Sequence, residues 1–143
     1  MKKVYFLICF LLIISCNSVE KEDLTNINGY WEIHKVIQPD GNKVDFNMNT
    51  IYDYYELGED YKGIYKKAIP QLDGTFVVDE YQEEIEIIEN NNSFEIKFYS
   101  EFSDDRELSI IEITTNKLIL KNQEDKTYYY KRTKPINLLD NEQ

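Results

Sequence analysis

The stretch "EEIEIIENNNSFEIKFYSEF" (Glu83–Phe102) decides the fold. Apolar and charged residues alternate on both sides of "NNN" at Asn90–Asn92. Alternation with a period of two marks a half-buried strand, and a polar loop between two such runs marks a hairpin. In the second run Phe94, Ile96 and Phe98 fall on one face, while Glu95, Lys97 and Tyr99 fall on the other. One apolar face per strand calls for a second layer, or for a sheet that curls onto itself.

The same rhythm extends in both directions. Downstream, "SDD" at Ser103–Asp105 turns into "RELSIIEIT", "TNK" at Thr115–Lys117 into "KLILKN", and "QEDK" at Gln123–Lys126 into "TYYYKR". Upstream, "GYWEIHKVIQ" (Gly29–Gln38) reads as the first strand, closed by the turn "PDGN" at Pro39–Asn42. "TIYDYYEL", "GIYKKAI" and "TFVVDEYQ" read as three more strands, punctuated near Gly58, at Pro70 and at Asp73-Gly74. Only Asp45–Thr50 has the makings of a helical turn. Eight or nine short strands joined by tight turns predict an all-β, antiparallel up-and-down meander. Closure into a barrel of about eight strands removes the exposed edges, although a flattened sandwich fits the same rhythm. A barrel of that size is filled by side chains or holds one small ligand.

The N-terminus carries a different message. Lys2 and Lys3 precede an uncharged run, Val4–Ile14. As a helix that run spans roughly 16 Å, about half of a hydrocarbon core of ~30 Å. It is too short to cross a membrane comfortably and has the length of a signal-peptide apolar region. It ends at Ile14-Ser15-Cys16, followed at once by polar, acidic sequence. This seam resembles the lipobox of bacterial lipoproteins, with Ser15 as the small residue and Ile13 where Leu is usual. The resemblance implies removal of residues 1–15, diacylglycerol on the Cys16 thiol and acylation of the new amino group. Acyl chains add ~0.8 kcal/mol per buried CH₂, so several chains on one residue anchor firmly. The expected location is the outer membrane of a Gram-negative envelope, on its periplasmic face or at the cell surface.

Residues 16–23 then read as a lipidated tether, 24–133 as the barrel domain and 134–143 as a frayed tail, with Pro135 ending any preceding strand. Glu20-Lys21-Glu22-Asp23 is similar to the charged surface-export signals of Bacteroidota lipoproteins; a hydrophilic spacer is the alternative reading. Removing Lys2 and Lys3 leaves 14 basic residues against 27 acidic ones, a net charge of −13. That balance argues against nucleic acid, whose binding rests on cationic neutralisation of phosphates. The mature chain keeps Cys16 as its only cysteine, so it has no internal disulfide and relies on core packing.

Within the barrel segment, "INGYWEI" contains a G-x-W, Gly29-Tyr30-Trp31, and the last strand "YYYKRT" contains Arg132. With the run of hairpins between them, the chain resembles the lipocalin-like lipoproteins of the Bacteroidota, and more loosely the lipocalins. The resemblance covers roughly residues 24–133. It implies that Gly29 and Trp31 help to close one barrel end and that Arg132 packs over Trp31. These roles are structural, and the contact would be a cation–π pair.

No catalytic constellation stands out. His34 is the only histidine, and there is no G-x-S-x-G elbow to supply a nucleophile. One histidine cannot build a zinc or copper site. The oxygen-rich turns at Asp40–Asn42 and Ser103–Asp105 lack the spacing of a calcium loop. Glu83-Glu84 and Asp104-Asp105 are adjacent pairs, and neighbours on a strand point to opposite faces. The expectation is therefore a protein without enzymatic activity, cofactor or metal.

Tyrosine is the remaining signal, with eleven in the mature chain. Tyr has an apolar face and a polar tip. Tyr52 and Tyr54 share one face of their strand, and Tyr128 and Tyr130 share one face of theirs. If both faces point inward, they line a part-polar lumen; Tyr is also simply a good strand former. The expected function is binding of a small apolar or amphipathic ligand by a membrane-anchored barrel. The alternative is a filled barrel whose surface serves an envelope protein partner as an accessory or inhibitor module.

Overall fold

The computed structural model describes residues 18–133, so the signal-like segment, Cys16 and the tail from residue 134 lie outside the described residues. The described residues open with a short 3-10 helix, Lys21–Ile27, and continue through ten strands. These are β1 (Gly29–Ile37), β2 (Lys43–Asp45), β3 (Tyr52–Leu57), β4 (Lys62–Pro70), β5 (Phe76–Val78), β6 (Glu83–Asn90), β7 (Ser93–Tyr99), β8 (Arg106–Ile113), β9 (Lys117–Lys121) and β10 (Thr127–Arg132). All pairings are antiparallel, and β10 pairs back onto β1. Eight strands thus form a closed barrel. The short strands β2 and β5 add to the outer ends of β1 and β4.

The central hairpin forms as its alternation dictates. Phe94, Ile96 and Phe98 are buried in the interior, against Ile85 and Ile87 of β6. Asn91 and Asn92 take positive φ at the turn, which Asn tolerates better than most residues. Two irregularities help the sheet to curl. The pairing slips between Ile33 and Lys35 on β1, and between Ile110 and Glu112 on β8. Bulges of this kind bend a strand and sharpen its twist. The first leaves His34 as the extra residue on the barrel wall, edge-on to Tyr129.

Two local expectations are corrected. Asp45–Thr50 makes no helical turn: Asp45 ends β2, and the segment beyond it is tied to β1. There Phe46 N–H donates to the His34 carbonyl, and Asn49 donates to the Ile33 carbonyl and the Glu32 carboxylate. The Phe46 backbone and the Asn49 side-chain amide thus hold the segment extended along β1. The strand expected over Thr75–Gln82 shrinks to Phe76–Val78, because β6 takes over the pairing with the first half of β4.

The 3-10 helix begins inside the segment assigned to the tether. Its Leu24 and Ile27 are fully buried and seal one end of the barrel together with Trp31. Burial of each such side chain contributes roughly 1.5–3 kcal/mol.

Candidate functional site

The plugged end is built around Trp31 and Arg132, which face each other directly across the β1–β10 seam. Trp31 is fully buried, and its indole N–H donates to the Ile27 carbonyl at 2.7 Å. The Arg132 guanidinium lies 4.3 Å from the indole centroid. It donates to the carbonyls of Asn28 (2.6 Å), Asn26 and Thr115. A half-buried cation is thereby satisfied by backbone oxygens at the end of the helix and by the β8–β9 turn. Gly29 makes room for it: its φ is +115°, and a Cβ there would sit 2.8 Å from Arg132 Nη1.

The opposite end holds a cup of about 370 Å³. Its floor and walls are aromatic. Tyr55 and Tyr65 are cross-strand partners with rings 5.1 Å apart, and Tyr65 meets Phe98 edge-on at 5.3 Å. Tyr130, Tyr128 and Leu108 complete the far wall.

Charged groups ring this aromatic surface in two pairs. Asp53, buried on β3, accepts from Lys67 Nζ (2.5 Å) and from the Tyr65 hydroxyl (2.8 Å). Glu83, buried on β6, accepts from Arg106 Nη2 at 2.5 Å. Arg106 belongs to β8, so its guanidinium reaches across β7 to make that bond. On the way it lies over Phe98, 3.6 Å from the ring centroid. Arg106 Nη1 is buried, and no acceptor among the described residues reaches it.

The phenols of the cup stay protonated. Burial first, and the Asp53 carboxylate second, push Tyr55, Tyr65 and Tyr130 well above the usual tyrosine range. Tyr128 is raised as well, again mainly by burial. They therefore act as neutral hydroxyls that can donate or accept.

The tyrosine candidates divide. Tyr128 and Tyr130 line the cup. Tyr52 and Tyr54 lie on the outer face of β3, whose inward residues are Asp53, Tyr55 and Leu57. Outside, Tyr54 packs on Tyr30, Tyr30 stacks on Phe76 at 4.0 Å, and Tyr52 meets Phe76 edge-on. This outer aromatic cluster links β1, β3 and β5. The residues that sequence reasoning missed are Asp53, Tyr55, Tyr65, Glu83 and Arg106. The charged run "TIYDYYEL" held one available signal. An Asp between tyrosines on a strand is costly if buried unless a cation meets it, and Lys67 stands on the next strand to do so.

No protein-family model matches the chain, and no curated protein matches it. Among solved structures it is similar to a lipocalin-like protein from Bacteroides uniformis ATCC 8492, with a TM-score of 0.49 and 11% identity, over 76% of this chain and 99% of that one. It is also similar to an uncharacterized protein from Bacteroides eggerthii DSM 20697, with a TM-score of 0.46 and 14% identity, over 74% of this chain and 98% of that one.

Proposed function

We propose that the protein is a non-enzymatic, lipid-anchored binding barrel of the cell envelope, of lipocalin-like type, whose cup takes one small amphipathic ligand. The observation that carries this reading is the cup itself. One half of the barrel is packed solid around Trp31, Leu24 and Ile27, while the other keeps about 370 Å³ walled by aromatic rings and rimmed by charge. A volume at the lower end of the range for small-molecule sites, apolar walls and a few fixed polar groups are what such a ligand requires. The lipobox-like seam at Cys16 supports the anchor, and the outer membrane is the location we infer from it.

Native mass spectrometry tests the reading. Residues 17–143 would be purified without the anchor from a lipid-containing host. A co-purified small molecule that leaves on denaturation supports binding and gives its class. A clean mass, together with no uptake from a panel of small aromatic and aliphatic probes, would sink it.

A second reading is favoured by the loops at the mouth. Leu72 and Phe102 are 73% and 80% exposed on the β4–β5 and β7–β8 connections at the same end of the barrel, and Tyr81 packs against Phe102 with ring centroids 5.6 Å apart. Isolated apolar residues on a surface are ordinary, but several on one rim fit contact with another protein. Pull-down from envelope extracts, with Leu72 and Phe102 changed to Ser as the control, separates this accessory-module reading from the first.

A further inference from the structure

We infer that the ligand of the cup is a small aromatic carboxylate, with its acidic group held by Arg106 and its ring against the tyrosine wall. The inference rests on the binding reading above and adds the chemistry of the headgroup. Three observations carry it.

The first is the unused donor. Buried N–H groups are nearly always paired, and leaving one unpaired is costly, more so for a charged group. Arg106 Nη2 is committed to Glu83, whereas Nη1 is buried with no acceptor among the described residues. A guanidinium fork with one free prong matches an anionic oxygen such as that of a carboxylate.

The second is the local charge. Lys67 and Arg106 face the cup with Asp53 and Glu83, two cations against two carboxylates, while Lys66 pairs with Tyr54 on the outer face. The cup is thus balanced in charge on a chain whose formal net charge is −11, and an anion meets less repulsion there than over the rest of the surface. The two carboxylates are already occupied, Asp53 by Lys67 and Tyr65 and Glu83 by Arg106. A cationic ligand would have to break one of those pairs.

The third is the shape of the wall. Phe98 pins the Arg106 guanidinium from one side, and Tyr65 lies 5.1 Å from it. Tyr55, Tyr65, Tyr128 and Tyr130 present ring faces and edges with neutral hydroxyls. A flat ring joined to a short acidic arm covers that surface, and the arm meets Nη1 once the guanidinium turns toward the cup.

The test uses the full chain in lipid nanodiscs, titrated by calorimetry against empty nanodiscs with three probes of equal shape: cinnamate, cinnamamide and cinnamyl alcohol. The acid is expected to bind about tenfold more tightly than the amide, as one charge-assisted hydrogen bond would give. In the Arg106→Gln, Glu83→Gln double variant, which removes both partners and leaves no lone buried charge, that preference should vanish while amide binding persists. Equal binding of acid and amide would overturn the carboxylate assignment and leave the binding barrel standing. A preference that survives the double variant would overturn the role of Arg106. Failure of all three probes would overturn this inference and leave the binding reading to the native mass measurement.

Discussion

Arg132 and Trp31 are register partners across the seam that closes the barrel, and the guanidinium of one covers the indole of the other at 4.3 Å. The contact joins the last strand to the first, and the hydrogen bonds of Arg132 to Asn26 and Asn28 join both to the helix. Replacing Arg132 with Met keeps much of the stem but removes those bonds and uncovers backbone carbonyls. We expect a loss of about 2–4 kcal/mol, read as a lower urea midpoint with unchanged slope. Trp31 is the only tryptophan, so its fluorescence reports this end alone. Acrylamide should quench it weakly in the native protein and more strongly in the variant.

Two glycines with positive φ allow a controlled comparison. At Gly29 an added methyl would meet Arg132 Nη1, whereas at Gly41 (φ +84°) it would meet nothing within 4 Å. Gly41→Ala should cost only the backbone strain, about 1–2 kcal/mol. Gly29→Ala should cost clearly more, since it also pushes Arg132 off the indole. Thermal melts of the two variants side by side check the order; equal shifts would refute the packing role of Gly29.

Alkaline stability follows from the buried phenols. Tyr55, Tyr65 and Tyr130 have folded-state pKa values raised by burial and by Asp53. Below about pH 10 both the folded and the unfolded chain hold these protons, and the three groups give no pH dependence. Above it the unfolded chain releases them and the folded chain does not, so stability falls as pH rises. Each fully buried phenol contributes a slope of up to ~1.4 kcal/mol per pH unit. Urea midpoints between about pH 9 and pH 11 should drop steeply, and Tyr55→Phe should make the drop shallower.

The two tyrosine sets should separate in a binding assay. Leu108→Trp narrows the cup from its wall and should abolish uptake of any probe that the native cup accepts. Tyr52→Phe, on the outer cluster with Phe76, should leave uptake unchanged. The opposite pattern would move the site to the outside of β3.

The same residues explain what the sequence made legible. In "SFEIKFY" one face is wholly apolar, so its inward side is unambiguous and the hairpin follows. In "YDYYEL" both faces carry tyrosine, and alternation alone cannot choose between them. The choice falls to Asp53, which is stable inside only because Lys67 and Tyr65, fourteen and twelve residues away, meet it there. Such pairing depends on register between strands, which local pattern does not encode. The Glu83–Arg106 pair is harder still, since it skips a strand and needs Phe98 in between. The plug was hidden for another reason. Leu24 and Ile27 are the only two buried residues of a short 3-10 helix, too few to show a helical period.

If Cys16 carries the lipid proposed above, the plug also sets which way the cup looks. The described chain enters the barrel beside it, with Val19 packed against the core and the helix starting at Lys21. Cys16 precedes Ser18 by two residues, a reach of about 7 Å at full extension. Lipid on Cys16 would therefore moor the sealed end close to the bilayer and leave little slack for the barrel to tumble. The cup would open on the far side, roughly 20 Å further from the lipid surface across the height of the strands. Its cargo would arrive from the aqueous phase as a dissolved molecule rather than be extracted from the membrane beneath.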